Sequence, residues 1–385
     1  QFNGSIDVKV DDYTEFPDIK KEKNGDEITY YYNNPYGEQV EYNQSTLKSV
    51  RDAIKEHIKE YGALTACTYA SNSTTERQKY FSDDYNSYYC DDQSKTPDHA
   101  VTIIGWDDNY PVSNFKKQPA NPGAYIVLNS WGDSWGNEGY YYISYDDVNI
   151  ETLLMGITNI SNKDYDNLYQ YDELGKNIFR IGSETEPNYI YFANVFDRNN
   201  SADIEKLDNV SISLDRTCDV EVYVNTNIGD SLDSEDWENL RKVEVEEGTF
   251  GAGYHTIHLK DNIYLTQDKF IVAIKTTAVN SNSVGLALEC KPEGLSENLY
   301  QLGWYNYLQA NNNESFVSFD GSLYMDVNYV LQDSSTCIKA FTTNVEDSEI
   351  LNVGDTYELD ETKMYIYDVP TETTETEFKI ELDKN

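Results

Sequence analysis

Two polar side chains stand where short apolar runs of the sequence begin and end. His99 precedes the run Val101 to Trp106, and Asn129 follows the run Ala124 to Leu128. An imidazole can take the proton of a thiol and hold the thiolate as an ion pair, which turns a weak nucleophile into a strong one. Its second ring nitrogen must then be held by an acceptor, and a neutral amide oxygen does so without removing the proton. His99 and Asn129 have the chemistry of such a base and its orienting group.

The residues around this pair predict the strands that would position it. Val101 to Trp106 and Ala124 to Leu128 are typical of buried central strands. The connection between them, from Asp107 to Gly123, is polar and holds three prolines, as expected for a surface loop between neighbouring strands. A further strand is predicted from Gly139 to Tyr145, with aromatic side chains on both faces.

One clear helix is predicted before these strands, from Thr46 to Tyr61. Apolar residues recur there at helical spacing, namely Leu47, Val50, Ile54 and Ile58. Ser45 is the expected N-cap, and Gly62 is expected to end the helix, where a left-handed residue is favoured. The next strand is predicted from Ala63 to Tyr69. We expect His57, inside the helix, to be solvated or partly packed and not to serve as the base.

Composition bounds the architecture and the partners of the chain. A length of 385 residues exceeds what one hydrophobic core normally serves, so two or more domains are expected. The formal net charge of -40 would repel a phosphate backbone and an anionic membrane surface. No apolar run approaches the roughly 20 residues of a transmembrane helix. We therefore expect no nucleic acid partner and no transmembrane segment.

The cysteines and the first residues of the chain give two further expectations. Five cysteines are widely spaced, without the CxxC or Cys/His clustering of a thiolate zinc site, so we expect no metal bound through thiolates. The chain opens with Gln1 and Phe2, without a basic and then an apolar segment. Any signal peptide is therefore expected to have been removed or never to have been part of this polypeptide.

The longer motifs around His99 and Asn129 resemble a known enzyme family. The segments DHAVTIIGWDD and AYIVLNSWGDSWGNEGYYYISY are similar to the second half of a papain-family cysteine peptidase. The resemblance implies that His99 is the catalytic base, that Asn129 orients it and that Trp131 covers their hydrogen bond and keeps water out. It also implies that Trp135 lines the side of the cleft that receives the leaving group, although core packing is an equal alternative.

Three more residues are candidate subsite residues, namely Asp98 and Ala100, which flank His99, and Cys67. The resemblance places Cys67 in a wall of the pocket that selects the substrate side chain. It places Cys90 where relatives often have a disulfide cysteine. A Cys67 to Cys90 bridge is compatible with this placement.

The sequence departs from the family at the nucleophile. A Gln followed several residues later by a CGSCW-like segment is absent, and Cys67 and Cys90 come in the wrong chain order to replace it. The oxyanion hole, which the family builds from that Gln and the backbone N–H of the nucleophile, would be missing too. We therefore expect the chain to begin inside the protease, to be inactive alone and to need an N-terminal half that carries the Cys.

Short strands are predicted throughout the region after Gly156, following an Asn- and Asp-rich boundary from Asn159 to Asn167. Their spacing is typical of a sandwich or jelly roll. They span Tyr189 to Phe196, Asn209 to Leu214, Val220 to Asn225, Tyr254 to Leu259, Phe270 to Lys275, Gly285 to Cys290 and Phe316 to Phe319. The segments DNLYQYDELG, GYHTIHL and KFIVAIK resemble the lectin-like domain that follows the peptidase in some Gram-positive surface proteases.

This second region has candidate ligand-binding residues. Those that could stack on sugars or ligate calcium are Trp304, Tyr305, Asp230 and Asp236. Loops of an acidic chain carry carboxylates in any case, so a site without a specific ligand is the alternative. His255 and His258 lie on opposite faces of a predicted strand, which favours packing or surface roles over a shared metal. No cofactor is required for the predicted catalysis.

Together these observations predict an α+β, mostly β chain of three parts. Residues 1–160 form the β-rich C-terminal half of a papain-like peptidase, 161–345 an antiparallel lectin-like β-sandwich, and 346–385 an acidic tail, a linker or the start of a further β module. The predicted function is a cysteine endopeptidase component that hydrolyses polypeptides through a Cys/His/Asn site. The alternative is an inactive peptidase-like surface protein that binds carbohydrate or protein. The resemblance implies a secreted, cell-surface or cell-wall location, with a cell-wall glycan as a further ligand.

Overall fold

The structure is a computed structural model. It describes residues 8–25, 27–33, 39–70, 73–173, 175–176, 178–181, 188–198, 202, 204–229, 232–279, 283–290 and 310–345. No helix in this part of the chain has both the length and the apolar composition needed to cross a membrane. The predicted tail at 346–385 lies outside the described residues.

The first half contains the predicted helix and the predicted strands. Its strands are Val8–Glu15 (β1), Lys20–Asn24 (β2), Glu27–Asn33 (β3), Gln39–Glu41 (β4), Leu64–Thr68 (β5), Phe81–Ser82 (β6), Ser87–Tyr88 (β7), His99–Asp107 (β8), Ala124–Leu128 (β9), Tyr140–Ser144 (β10) and Met155–Asn162 (β11). Its helices are Gln44–Tyr61 (α1) and Thr74–Arg77 (α2), and a 3-10 turn spans Val112–Asn114. Strands β1 to β4, β6, β7 and β11 were not predicted.

The second half is built almost entirely of strands. They are Asn167–Tyr169 (β12), Ile178–Ile181 (β13), Tyr189–Asp197 (β14), Ile204–Leu214 (β15), Cys218–Asn225 (β16), Arg241–Val243 (β17), Thr249–Phe250 (β18), Gly253–Leu265 (β19), Lys269–Ala278 (β20), Gly285–Cys290 (β21), Ser315–Ser318 (β22), Met325–Asp326 (β23), Ser334–Thr336 (β24) and Ile338–Val345 (β25). Two short helices, Ser234–Glu238 (α3) and Val327–Val330 (α4), interrupt them. The prediction of a mostly β chain is confirmed.

A single sheet of 12 strands runs through both halves, in the order β12-β25-β15-β19-β1-β11-β5-β8-β9-β10-β7-β6. Strand β1 joins the halves, because it pairs antiparallel with β11 on one side and with β19 on the other. Asn159 to Asn162, part of the predicted boundary, lie in β11 and pair with β1. These residues therefore form a β-strand despite their mostly polar composition, because their backbone pairs with β1.

The second half is a sandwich with one large core. A sheet containing β17, β16, β20, β14, β22 and β23 faces the end of the long sheet that contains β25, β15 and β19. Phe192, Val222 and Ile274 project from the first sheet into the core, and Leu207 and Ile257 project from the second. All five side chains are at most 1% exposed. The other face of the first sheet buries a smaller apolar cluster that includes Ala193, Ile271 and Phe316, so its central strands are apolar on both faces.

Helix α1 packs on the sheet of the first half through its predicted apolar side, with Ile58 buried there. Its N-cap is Asn43 and not the predicted Ser45, because the Asn43 side chain accepts a hydrogen bond from the Thr46 N–H at 2.9 Å. The Ser45 hydroxyl donates to the same Asn43 oxygen. Gly62 follows the helix as predicted, with a φ of +104°, and its N–H donates to the Ile58 carbonyl.

His57 is buried rather than solvated, with 6% of its surface exposed. Its ring centroid lies 5.5 Å from that of Phe16 and 4.9 Å from that of Tyr61. A Cβ at Gly156 would come within 2.1 Å of the His57 Nε2 atom, so the glycine provides the space for the imidazole. Burial lowers the pKa of His57, as expected for an imidazole that loses its hydration. His57 therefore belongs to the core and not to a site.

A buried ion cluster holds β2 and α1 to the segment after β10. Glu151 has no exposed surface; it contacts the Lys21 ammonium at 2.9 Å and the Arg51 guanidinium at 2.7 and 2.8 Å. The Tyr125 hydroxyl donates to the same carboxylate at 2.9 Å. Burial alone would raise the pKa of Glu151, but the two cations lower it to about 2. The first half thus depends on an ionised carboxylate in its interior.

Candidate active site

The predicted pair lies where two adjacent strands of the long sheet meet. His99 is the first residue of β8, and Asn129 follows the last residue of β9, which pairs antiparallel with β8. The His99 Nε2 atom lies 2.8 Å from the Asn129 Oδ1 atom. Asn129 is 7% exposed, so little water competes for this bond. Strand pairing therefore brings together two residues that are 30 positions apart in the sequence.

The backbone fixes which atoms of the pair face each other. The N–H of Ser130 donates to Oδ1 of Asn129 at 2.8 Å. Because a backbone N–H can only donate, the shared atom is the amide oxygen. The hydrogen of the His99 to Asn129 bond is consequently on Nε2 of the imidazole. In the neutral ring Nδ1 keeps its lone pair, which is the tautomer that can take a proton from a thiol.

Trp131 covers this pair and Trp135 supports Trp131. The ring of Trp131 stacks on His99 with centroids 5.0 Å apart and an interplanar angle of 29°. Trp135 stands nearly perpendicular to Trp131 at 5.1 Å and also packs against Phe81 and Tyr141. Trp131 keeps 37% of its surface exposed, so one ring face can shield the imidazole while the rest meets solvent. Trp135 both lines the cleft and packs in the core.

Glycines shape the loop that carries both tryptophans. Gly132, Gly136 and Gly139 have φ values of +90°, +63° and +88°. A Cβ at Gly136 would lie 2.6 Å from the Tyr140 carbonyl oxygen, so both backbone conformation and space require glycine there. The Asn129 N–H donates to the Gly139 carbonyl at 2.9 Å. This bond closes the loop and fixes the backbone of the residue that orients the imidazole.

The three candidate subsite residues occupy different positions. Asp98 tethers β5 to β8: its Oδ1 atom accepts from the Ala70 N–H at 2.6 Å, and its own N–H donates to the Thr68 carbonyl. Ala100 is exposed and lies directly opposite Cys67 in the β5 to β8 pairing. Asp98 therefore acts on the position of the strand ends. A role of Ala100 and Cys67 as a pocket wall stays a prediction.

The cysteines of the first half are free thiols, so the bridge between Cys67 and Cys90 is not formed. Cys90 is buried, and its backbone N–H donates to the Asp147 carboxylate at 2.9 Å. Burial, together with the Asp147 charge, raises the pKa of Cys90 to about 12, and burial also raises the pKa of Cys67. Cys67 lies opposite Ala100 in the sheet, so its side chain leaves the sheet on the other face from His99.

The cleft beside His99 contains residues that the sequence did not single out. They are Thr68, Tyr69, Ala70, Arg77, Phe81, Tyr88 and Tyr141. Arg77 differs from the others in its charge, and its guanidinium carbon lies 4.9 Å from the centre of the Trp131 ring. No sequence signal marks Arg77, because α2 is a single turn whose place beside the cleft depends on the whole fold.

The candidate ligand-binding residues of the second half are only partly described. Asp230, Trp304 and Tyr305 lie outside the described residues. Asp236 is 9% exposed, and its carboxylate accepts from the Asp233 N–H in the capping box of α3. Within the described ranges, no group of three or more His, Cys, Asp or Glu side chains could hold a metal ion. Calcium binding in this half stays a prediction.

The two histidines of the second half have separate polar partners. Nδ1 of His255 lies 3.1 Å from the Asp12 carboxylate, and Nδ1 of His258 lies 2.7 Å from the Asn209 side chain. The contact of His255 with Asp12 connects β19 to β1, at the junction of the two halves. Both histidines therefore take part in packing and hydrogen bonding, as predicted.

Two protein families match successive parts of the chain. Residues 7–158 match the papain family cysteine protease, and residues 168–342 match the lectin like domain. A probable cysteine protease from Arabidopsis thaliana is 31% identical over 102 residues, which are 26% of this chain and 24% of the relative. A cysteine proteinase from Trypanosoma brucei brucei is 30% identical over 97 residues, 25% of this chain and 18% of the relative. The chain thus spans about a quarter or less of these curated relatives.

Solved structures share the arrangement of both halves. A clostridial cysteine protease, Cwp84, after propeptide cleavage superposes with a TM-score of 0.64 at 23% identity, over 89% of this chain and 73% of that chain. The cysteine protease and lectin-like domains of Cwp84, a surface layer associated protein of Clostridium difficile, superpose with a TM-score of 0.62 at 24% identity, over 89% and 65%. The predicted fold, a papain-like peptidase region followed by a lectin-like sandwich, is confirmed.

Proposed function

Because the chain joins a papain-family peptidase region to a lectin-like domain, we propose that it forms part of a cysteine endopeptidase that hydrolyses polypeptides. The observation that carries this proposal is the 2.8 Å contact between His99 Nε2 and Asn129 Oδ1 beside the Trp131 ring. An imidazole held in this tautomer presents an unprotonated Nδ1. That nitrogen is suited to exchange protons with a nucleophile and with a leaving group.

The nucleophilic thiol comes, in this proposal, from a segment outside this sequence. Cys67 leaves its strand on the other face from His99, and Cys90 is buried without exposed surface. The other three cysteines are buried in the second half. No thiol of the chain is therefore placed to give its proton to Nδ1 of His99. We expect the missing segment to bring the donors of an oxyanion hole as well.

In the complete enzyme, the thiolate comes from the Cys-bearing segment, and this chain supplies the base, its orienting amide and the covering indole. The thiolate attacks the carbonyl carbon of the peptide bond, and the His99 imidazolium gives its proton to the leaving amine, which leaves an acyl-enzyme. Water then loses a proton to His99 and attacks the thioester, which releases the carboxylic acid and the thiol. Asn129 holds the imidazole in one orientation through both steps. Trp131 keeps water from their hydrogen bond, which strengthens it.

A thiol-directed peptide inhibitor tests this function. In the complete enzyme, which combines this chain with the Cys-bearing segment, we expect the inhibitor to stop peptide hydrolysis and to modify a single cysteine. Mass spectrometry of the digested protein should place the label on the Cys-bearing segment. A label on Cys67 or Cys90 would contradict the assignment of the nucleophile. Absence of both turnover and label would favour the alternative, an inactive peptidase-like protein that binds carbohydrate or protein.

One surface of the sandwich supports a binding function beside the peptidase. Tyr191 lies on the outer face of its sheet, with ring centroids 6.1 Å from Tyr223 and 6.5 Å from Tyr324. The Lys275 ammonium lies over the Tyr191 ring at 5.7 Å and contacts Glu221 at 3.1 Å. Aromatic faces stack on the apolar faces of sugars, and adjacent charged groups bond sugar hydroxyls. Because the net charge of -40 would repel an anionic glycan, we choose a neutral glycan as the proposed ligand of the tyrosine surface formed by Tyr191, Tyr223 and Tyr324.

We expect Tyr191→Ala to weaken the binding of a neutral cell-wall polysaccharide by about tenfold or more, because it removes the central ring of the tyrosine surface. Titration calorimetry with the soluble polysaccharide measures the change. Tyr191→Phe keeps the stacking ring and should keep most of the affinity. Tyr85→Ala removes a tyrosine of the first half that is 51% exposed and should leave binding unchanged. Equal binding by Tyr191→Ala and the wild type would exclude this surface.

An extracellular location is part of the same proposal. The structural relative Cwp84 is described as a surface layer associated protein, and the chain shares its order of peptidase and lectin-like regions. A glycan-binding surface next to a peptidase region would hold the enzyme close to substrates at a cell surface. We therefore propose a secreted or cell-surface protein.

A further inference from the structure

Arg77 places a positive charge beside the proposed catalytic base. It is the last residue of α2, and its guanidinium carbon lies 4.9 Å from the centre of the Trp131 ring. The His99 ring centre lies 5.0 Å from the centre of the same indole. The guanidinium and the imidazole are therefore at most about 10 Å apart, which is the length of three residues of extended peptide. Both line the same cleft.

Arg77 has no ion-pair partner among the described residues, although the chain carries a net charge of -40. The carboxylate next to it in sequence, Glu76, is engaged by Lys79 and by Lys95, the latter at 3.1 Å. These two lysines lower the pKa of Glu76, so it stays ionised and bound to them. A guanidinium that lines a cleft and pairs with no carboxylate of the described ranges is available to a carboxylate from a ligand.

We propose that Arg77 selects substrates with a carboxylate on the leaving-group side of the cleaved bond. This inference rests on the proposed function, because it gives the cleft a polypeptide substrate. His99 delivers its proton to the leaving amine, so the residues that follow that amine lie along the wall formed by His99 and Trp131. Arg77 stands on this wall, within reach of the first three of them.

The contact with Trp131 prepares Arg77 for this role. A guanidinium stacked on an indole keeps its hydrogen-bond donors at its edge, where they can form a bidentate pair with a carboxylate. The ring also restricts the side chain before the substrate binds, so less conformational freedom is lost on binding. Lysine has a compact charge and no planar fork, so it would provide attraction without the bidentate geometry.

The test compares cleavage of peptides that differ at one position. A fluorogenic peptide series carries Glu, Gln or Lys at the first, second or third position after the cleaved bond. For the complete wild-type enzyme we expect kcat/KM to be about tenfold or more higher for Glu than for Gln at one of these positions. Arg77→Gln should bring this ratio close to one, and Arg77→Glu should favour Lys. Ratios within one variant do not depend on how much of the protein is folded.

Lys116→Gln is the matched control, because it removes one positive charge from the first half at an exposed position outside the cleft. Its Glu to Gln ratio should equal that of the wild type. Equal cleavage of Glu and Gln peptides by the wild type, or an unchanged preference in Arg77→Gln, would overturn the role of Arg77 and leave the peptidase proposal intact. Failure of the wild type to cleave any peptide would overturn the proposed function and this inference with it.

Discussion

We expect His99→Ala to lower kcat/KM for peptide hydrolysis in the complete enzyme by about four orders of magnitude or more. The change removes the group that accepts the proton of the thiol and returns a proton to the leaving amine. It also removes the hydrogen bond to Asn129 and the stacking contact with Trp131. The affinity for the peptide should change much less than kcat, because His99 acts mainly in the transition state and contributes little to substrate binding.

The same substitution should have little effect on folding. His99 is partly exposed and lies at the first position of β8, outside the buried clusters of the first half. Thermal unfolding followed by circular dichroism checks this expectation. His258→Ala is the control, because it removes a histidine hydrogen-bonded to Asn209 in the sandwich and should keep full turnover. Retained hydrolysis by His99→Ala would remove His99 from the mechanism.

The position of the His99 and Asn129 pair could be predicted because it is encoded locally. Each residue borders an apolar run that forms a central strand, and antiparallel pairing of β8 with β9 brings the two strand ends together. The glycines of the following loop are also local signals, since they adopt backbone conformations that other residues avoid. Short-range patterns of this kind predict the strands and the loop without information about distant parts of the chain.

The features that the sequence did not predict depend on distant partners. The stretch from Asn159 to Asn162 is mostly polar and suggests a domain boundary, but its backbone pairs with β1, more than 140 residues earlier in the chain. Arg77 becomes part of the cleft only because α2 is placed beside the Trp131 loop. Lys21 and Glu151 belong to residue types that are usually exposed, and the ion cluster that they form with Arg51 permits their burial. Composition therefore predicts burial poorly where hydrogen bonds or ion pairs within the protein replace those that polar groups make with water.

We expect Glu151→Gln to lower the free energy of unfolding of this chain by about 3 kcal/mol or more at pH 7. The amide keeps the size of the side chain and one oxygen acceptor, but it removes the negative charge that contacts both the Lys21 and the Arg51 cations. Urea denaturation measured on the isolated chain gives the difference. Glu56→Gln is the control, because Glu56 is 67% exposed in its pair with Lys59, and exposed pairs contribute little.

The pH dependence separates lost charge from lost packing. The pKa of Glu151 falls from its ordinary value of 4.5 to about 2 in the folded chain. A depressed carboxyl pKa gives stability that is fully present above 4.5 and is lost as the pH falls towards 2. The wild type should therefore lose this contribution over that range, whereas Glu151→Gln has none to lose, and the two stabilities should converge. A difference that stays constant down to pH 2 would mean that packing, and not the ion cluster, holds β2 and α1 in place.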